Sequence, residues 1–68
     1  MLTSYQKLLI LRACEYRASK AIRNYAALCE TQNQLCNRAK IAIDIEVKTL
    51  AENMHVNEAE IRSVLNTT

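Results

Sequence analysis

The 68-residue chain contains neither glycine nor proline. Glycine is the residue that adopts positive φ without steric cost, and proline is the residue that breaks a helix. Without either of them, tight hairpins and sharp loops are disfavoured. Phosphate-binding loops of the G-x-G-x-x-G and G-x-x-x-x-G-K types are excluded, because their backbones need glycine. The composition therefore predicts an all-α fold.

An apolar seam recurs at helical spacing from Leu11 to Leu50. Written in heptads with Leu11 at position a, the chain places mostly small or apolar residues at positions a and d. The predicted protein-interaction seam comprises Leu11, Cys14, Ala18, Ala21, Tyr25, Leu28, Leu35, Ala39, Ala42 and Ile43. Its alanines allow two helix axes to approach more closely than leucines would. The seam predicts a coiled-coil contact with another helix.

Three start signals divide the chain into helices. Two are T-x-x-Q capping boxes, formed by Thr3 with Gln6 and by Thr31 with Gln34. The third is the capping-box-like pair of Asn57 and Glu60, in which the Asn57 side chain is expected to cap the helix. The predicted helices of this single domain, 1–68, span roughly 4–29, 32–54 and 58–66.

The third start signal also has the spacing of a hydrophobic staple. Val56 precedes the N-cap residue and Ile61 follows it by four positions, so the two side chains are expected to pack together. The short third helix should leave the second one at an angle around His55.

The heptad phase leaves two arrangements open, because it continues without a break from Leu28 to Leu35. In one arrangement the first two helices form an antiparallel hairpin, which a short third helix follows. In the other, one very long helix packs antiparallel against a second copy. Both arrangements make the same pairs, which are Ala18 with Ala42, Ala21 with Ala39 and Tyr25 with Leu35. The hairpin is favoured, since globular helices longer than about 25 residues are uncommon, and it is expected to assemble into a helical bundle.

Residues 40–47 alternate between apolar and polar side chains almost as a strand does. A single strand without a pairing mate is not stable, so the segment is expected to be a helix buried on a broad face. Asp44 is a competent N-cap and could interrupt this helix.

Charge is unevenly distributed. Residues 1–40 hold seven basic and two acidic side chains (net +5), whereas residues 41–68 hold two basic and five acidic ones (net −3). The two halves should attract each other, or the opposite halves of a second copy. Arg12, Lys20 and Arg23 form a basic outer face on the first helix, where nucleic acid could bind.

The segment 47–65 resembles the helix-turn-helix of bacterial repressors. The resemblance is carried by Leu50, Ala51, Met54, Val56, Ile61 and Val64. The family often has glycine in the turn, where this chain has His55. The resemblance implies that the major groove of DNA would be contacted by Asn57, Arg62, Ser63 and Asn66. The net charge of −3 in this half opposes that function, because DNA affinity depends mainly on neutralising phosphates.

Residues that could carry chemistry are few. Cys14, Cys29, Cys36 and His55 include ligand types that zinc prefers, but no closely spaced ligand pair occurs. The thiols are better explained as small buried apolar groups. We therefore expect no metal site, no cofactor, no small-molecule substrate and no enzymatic activity.

The N-terminal region has no charged segment followed by a long apolar run, and its longest apolar run is Leu8–Leu11. This predicts a cytoplasmic protein that does not enter a membrane, and three cysteines without a framework spacing fit a reducing compartment.

The function predicted from the sequence is that of a small non-enzymatic interaction protein. A chain of this length has a marginal core, and a partner is a common remedy. The partner would be a second copy, as a homodimer, or another helical protein, as for an adaptor, co-chaperone or anti-factor. The alternative is a transcriptional regulator that binds DNA through residues 47–65.

Overall fold

The computed structural model describes residues 2–67, and it contains three α-helices. They are α1 (Ser4–Tyr25), α2 (Gln32–Met54) and α3 (Glu58–Asn66). No β-strand occurs within residues 2–67. The predicted all-α class, an antiparallel helical hairpin followed by a short third helix, is confirmed.

Both T-x-x-Q sequences form the capping boxes that their spacing predicts. The Gln6 backbone N–H donates to Thr3 Oγ1 (3.1 Å), and the Thr3 N–H donates to Gln6 Oε1 (2.8 Å). The Thr31–Gln34 pair repeats this exchange at 3.2 and 3.1 Å, and the Glu30 N–H also donates to Gln34 Oε1. Backbone donors that the first turn of a helix leaves unpaired are thereby satisfied.

The start of α3 is where the sequence predicts it, but the expected side-chain cap is absent. Asn57 has the extended backbone of an N-cap residue (φ −74°, ψ 145°), yet its side chain makes no capping hydrogen bond. Instead, the Asn57 carbonyl accepts from the Glu60 N–H at 3.1 Å. Glu58 and Glu60 lie in the first turn, where negative charge is favourable to the helix dipole. Val56 packs against the buried cluster that contains Ile61.

Helix α1 ends at Tyr25, four residues before the predicted boundary at residue 29. The Tyr25 carbonyl accepts from the N–H groups of both Leu28 and Cys29 at 3.0 Å, a shared hydrogen bond that is common where a helix ends. Residues 26–31 then reverse the chain direction. Of the two predicted arrangements, the structure has the antiparallel hairpin and not one long helix. The unbroken heptad phase across residues 28–35 does not reflect a continuous helix.

Helix α2 is continuous through Asp44, so the interruption considered at that residue does not occur. It packs antiparallel to α1, and α3 packs against both helices. The Arg17 Nε–Glu46 Oε2 ion pair (3.2 Å) joins the basic α1 to the more acidic second half of the chain. The chain measures 41 × 21 × 15 Å.

The core lies at the end of the hairpin that α3 covers. Its least exposed side chains are Ile10 of α1, Val47 of α2 and Ile61 of α3, each with 0% exposure. Leu2, Cys14 and Val64 complete this buried cluster. With nine residues, α3 is about 14 Å long, whereas the hairpin is about 33 Å long. The other half of the hairpin therefore has no third layer.

The turn between α2 and α3 requires a left-handed residue. His55 has φ 56° and ψ 43°, and it is the only non-glycine residue with positive φ within residues 2–67. The N–H groups of His55 and Val56 both donate to the Ala51 carbonyl, which ends α2. Glycine commonly occupies such a position, because a side chain crowds the left-handed conformation.

Candidate interaction surface

Most of the predicted seam is used within a single copy of the chain. Cys14 and Ala21 are buried, with 2% and 8% exposure. The half-buried members are Leu11, Ala18, Leu35, Ala39, Ala42 and Ile43. Two members differ, because Tyr25 is 38% exposed and Leu28, which lies in the connection, is 76% exposed. A partner helix could reach the buried members only if the hairpin opened.

Cys14 is packed in the core cluster and its sulfur is a free thiol. Burial raises the pKa of the Cys14 thiol, and the nearby Glu46 carboxylate raises it further. Both effects disfavour the thiolate, which is the nucleophilic and metal-binding form. Cys14 therefore acts as a small apolar core residue.

The outer face of α1 combines exposed apolar and basic side chains. Tyr5 is 70% exposed, Leu9 42% and Tyr16 54%. The Arg17 Cζ and the Lys20 Nζ atoms lie 5.9 and 6.0 Å from the centroid of the Tyr16 ring. Such distances allow cation–π attraction, worth about 0.5–1 kcal/mol at exposed sites. Of the basic outer face, Lys20 makes such a contact, whereas Arg17 also pairs with Glu46 of α2.

The expectation that residues 40–47 form a helix buried on a broad face is wrong for two isoleucines, which lie on the outer face of α2. Ile41 is 50% exposed and Ile45 is 61% exposed. Both fall outside positions a, d and e of the seam, and Ile45 lies seven residues from both Arg38 and Glu52. The g position of the same heptad, which flanks the seam, contains Arg38, Ile45 and Glu52 and would have revealed this pattern.

Arg38 and Glu52 lie on the same side of α2 as these isoleucines. Neither residue forms an ion pair within residues 2–67, where the ion pairs are Arg17–Glu46 and Arg62–Asp44. The Arg38 Cζ atom lies 4.9 Å from the centroid of the Tyr25 ring, so a cation–π contact orients its guanidinium group. Glu52 is exposed on the C-terminal side of Ile45. We name Arg38, Ile41, Ile45 and Glu52 the outer α2 face.

The four side chains that the helix-turn-helix resemblance assigns to DNA contact are all exposed: Asn57, Arg62, Ser63 and Asn66. Arg62, however, donates from Nη2 to Asp44 Oδ1 of α2 at 3.0 Å. This bond draws its guanidinium group towards α2, and the carboxylates of Glu58 and Glu60 share the same short helix.

Over residues 2–67, no group of three or more His, Cys, Asp or Glu side chains is placed to hold a metal ion. Cys14 is buried, Cys29 half-buried and Cys36 exposed, and all three are free thiols. The same part of the chain has no helix that is both long and apolar enough to span a membrane.

Comparisons of the chain with family models, with curated proteins and with solved structures found no match.

Proposed function

We propose that this chain is a small, non-enzymatic helical interaction protein that works as a homodimer. The observation that carries the proposal is the amount of apolar surface that one copy leaves uncovered. Nine large apolar side chains are 38% or more exposed, whereas seven hydrophobic residues form the buried core of the described chain. Scattered exposed apolar residues are normal, but here they exceed the core in number.

The total surface supports this argument quantitatively. One copy exposes 5108 Å². A compact monomer of 7.8 kDa would expose about 4,400 Å². The excess of about 700 Å² is close to the area that each partner contributes to an ordinary protein interface, about 800 Å². The elongated, half-covered hairpin therefore has surface available for one partner of similar size.

A helical partner fits this surface better than an irregular one. The two exposed isoleucines of α2 are four residues apart and lie on one helical face, which is a spacing that helix-to-helix packing uses. A second copy supplies such a helix without any other protein. Most soluble oligomers are symmetric assemblies of identical chains.

The test is the mass in solution over about a hundredfold range of protein concentration under reducing conditions. We expect light scattering to give twice the 7.8 kDa of one chain at the upper concentrations. The melting temperature should rise with concentration, because association stabilises the folded state by mass action. A monomeric mass throughout, with a melt that does not depend on concentration, would refute the proposal.

DNA binding through residues 47–65 is the second candidate, and the exposure of Asn57, Arg62, Ser63 and Asn66 is the observation that favours it. If Arg62 reads a base, Arg62→Ala should cost about 1–3 kcal/mol of affinity. Fold stability should change by no more than about 1 kcal/mol, because the Arg62–Asp44 pair is exposed. We expect only salt-sensitive, sequence-independent binding, since the acidic α3 repels phosphates. A specific complex that survives physiological salt and is lost in Arg62→Ala would make this candidate the leading one.

A further inference from the structure

We infer that the second copy packs antiparallel on the outer α2 face, about a two-fold axis that passes beside Ile45. The inference rests on the proposed homodimer and identifies the surface, the orientation and the pairs that hold it. In this arrangement Ile45 meets Ile45 of the second copy, and Arg38 lies beside Glu52 of the second copy on both sides of the axis.

The spacing along α2 places these side chains on one face. Arg38, Ile45 and Glu52 follow one another at seven-residue intervals, which is about two turns or 10.5 Å along a helix. Ile45 is 61% exposed, and Ile41, one turn earlier, is 50% exposed. The face therefore has an apolar centre, with a cation on one side and an anion at equal distance on the other.

Charge decides the orientation of the second copy. An antiparallel copy centred on Ile45 brings each Arg38 beside a Glu52, which gives two attractive pairs. A parallel copy in register would place Arg38 beside Arg38 and Glu52 beside Glu52, which is repulsive in both places. Both side chains are available, because neither forms an ion pair within residues 2–67. The Tyr25 ring also holds the Arg38 guanidinium group on this side of the hairpin.

The surface beside Ile45 has room for an apolar side chain from the second copy. A shallow concavity between α1 and α2 lies next to it, lined by Arg17, Ala42, Ile45, Glu46 and Thr49. Near the other end of the hairpin, a second concavity includes Tyr25, Leu28 and Ile41, so the apolar surface continues towards the connection.

The first test compares two exposed apolar positions. Ile45→Glu should raise the dissociation constant of the dimer by about 30-fold or more, as loss of a central interface residue does. Leu9→Glu, on the outer face of α1, is the matched control (42% exposed) and should leave the dimer intact. Both variants should keep the far-ultraviolet circular dichroism of the wild-type protein, because both residues are exposed.

The second test uses charge exchange and does not depend on removing apolar surface. Arg38→Glu alone would oppose two carboxylates at each pair, and Glu52→Arg alone would oppose two guanidinium groups. We expect each variant by itself to be monomeric where the wild type is dimeric. An equimolar mixture of the two restores both attractive pairs and should recover the dimer mass.

The outcomes separate this inference from the proposed function. A wild-type dimer that persists in Ile45→Glu, or a mixture of the charge variants that stays monomeric, would overturn the assigned face and leave the homodimer standing. Dissociation by Leu9→Glu with no effect of Ile45→Glu would move the interface to the outer face of α1. A monomeric wild type would overturn both.

Discussion

Ala21→Leu tests whether the alanines of the seam set the distance between α1 and α2. Ala21 is 8% exposed and lies on the part of α1 that has no third helix over it. Leucine would add three carbon atoms where the hairpin has no open space. Overpacking of this kind costs about 1–3 kcal/mol. A domain of this length has about 3–10 kcal/mol of stability in total, so the loss would be a substantial fraction of it.

The assay is thermal unfolding followed by circular dichroism at one low protein concentration, where association contributes least. For a small domain, each kcal/mol lowers the melting temperature by about 4–8 °C, so a fall of about 4–24 °C is expected. Ala59→Leu is the matched control, because Ala59 is exposed on α3. Leucine and alanine have similar helix propensities, and exposed substitutions usually change stability by less than about 0.5 kcal/mol.

An unchanged or higher melting temperature in Ala21→Leu would refute the close-packing argument. It would mean that the hairpin adjusts its interaxial distance without cost, or that the space beside Ala21 is empty. A similar fall in both variants would instead assign the effect to the added leucine rather than to its position.

Three further predictions concern the turn, the core and the buried thiol. His55→Gly should stabilise the fold by about 1 kcal/mol, because glycine removes the steric strain of a side chain on a left-handed backbone (φ 56°). His55→Ala keeps a side chain there and should give no such gain, and urea unfolding measures the stability of both variants. Ile61→Ala should cost about 2–5 kcal/mol because its side chain is fully buried, and amide exchange of α3 should accelerate most. Since burial and then Glu46 raise the pKa of Cys14 above its ordinary 9.0, the folded chain holds this proton where the unfolded chain has lost it. The contribution of this thiol to the free energy of unfolding is therefore complete below pH 9.0 and is lost as the pH rises through the folded pKa. Cys14→Ala should make the urea midpoint fall less between neutral and alkaline pH.

The sequence by itself determined the fold class and where its helices begin. Neither glycine nor proline interrupts the chain, so helix was the only regular structure that it favoured throughout. The Thr3 and Thr31 boxes are local, because each hydrogen bond joins residues three apart, and such signals can be read from sequence. The same holds for the N-cap position at Asn57, although its side chain makes no cap.

Tertiary structure decided what a periodic pattern leaves open. The heptad phase is the same for a hairpin and for one long helix, and only the non-helical connection at residues 26–31 and the packing of α1 on α2 select the hairpin. Periodicity identifies an apolar face but not what covers it: Ala21 is covered by the chain itself, whereas Ile45 remains exposed. The pairing of Arg62 with Asp44, 18 residues earlier, also could not be predicted from the sequence. Contacts between distant residues depend on how helices pack in space, and no local rule of spacing specifies that packing.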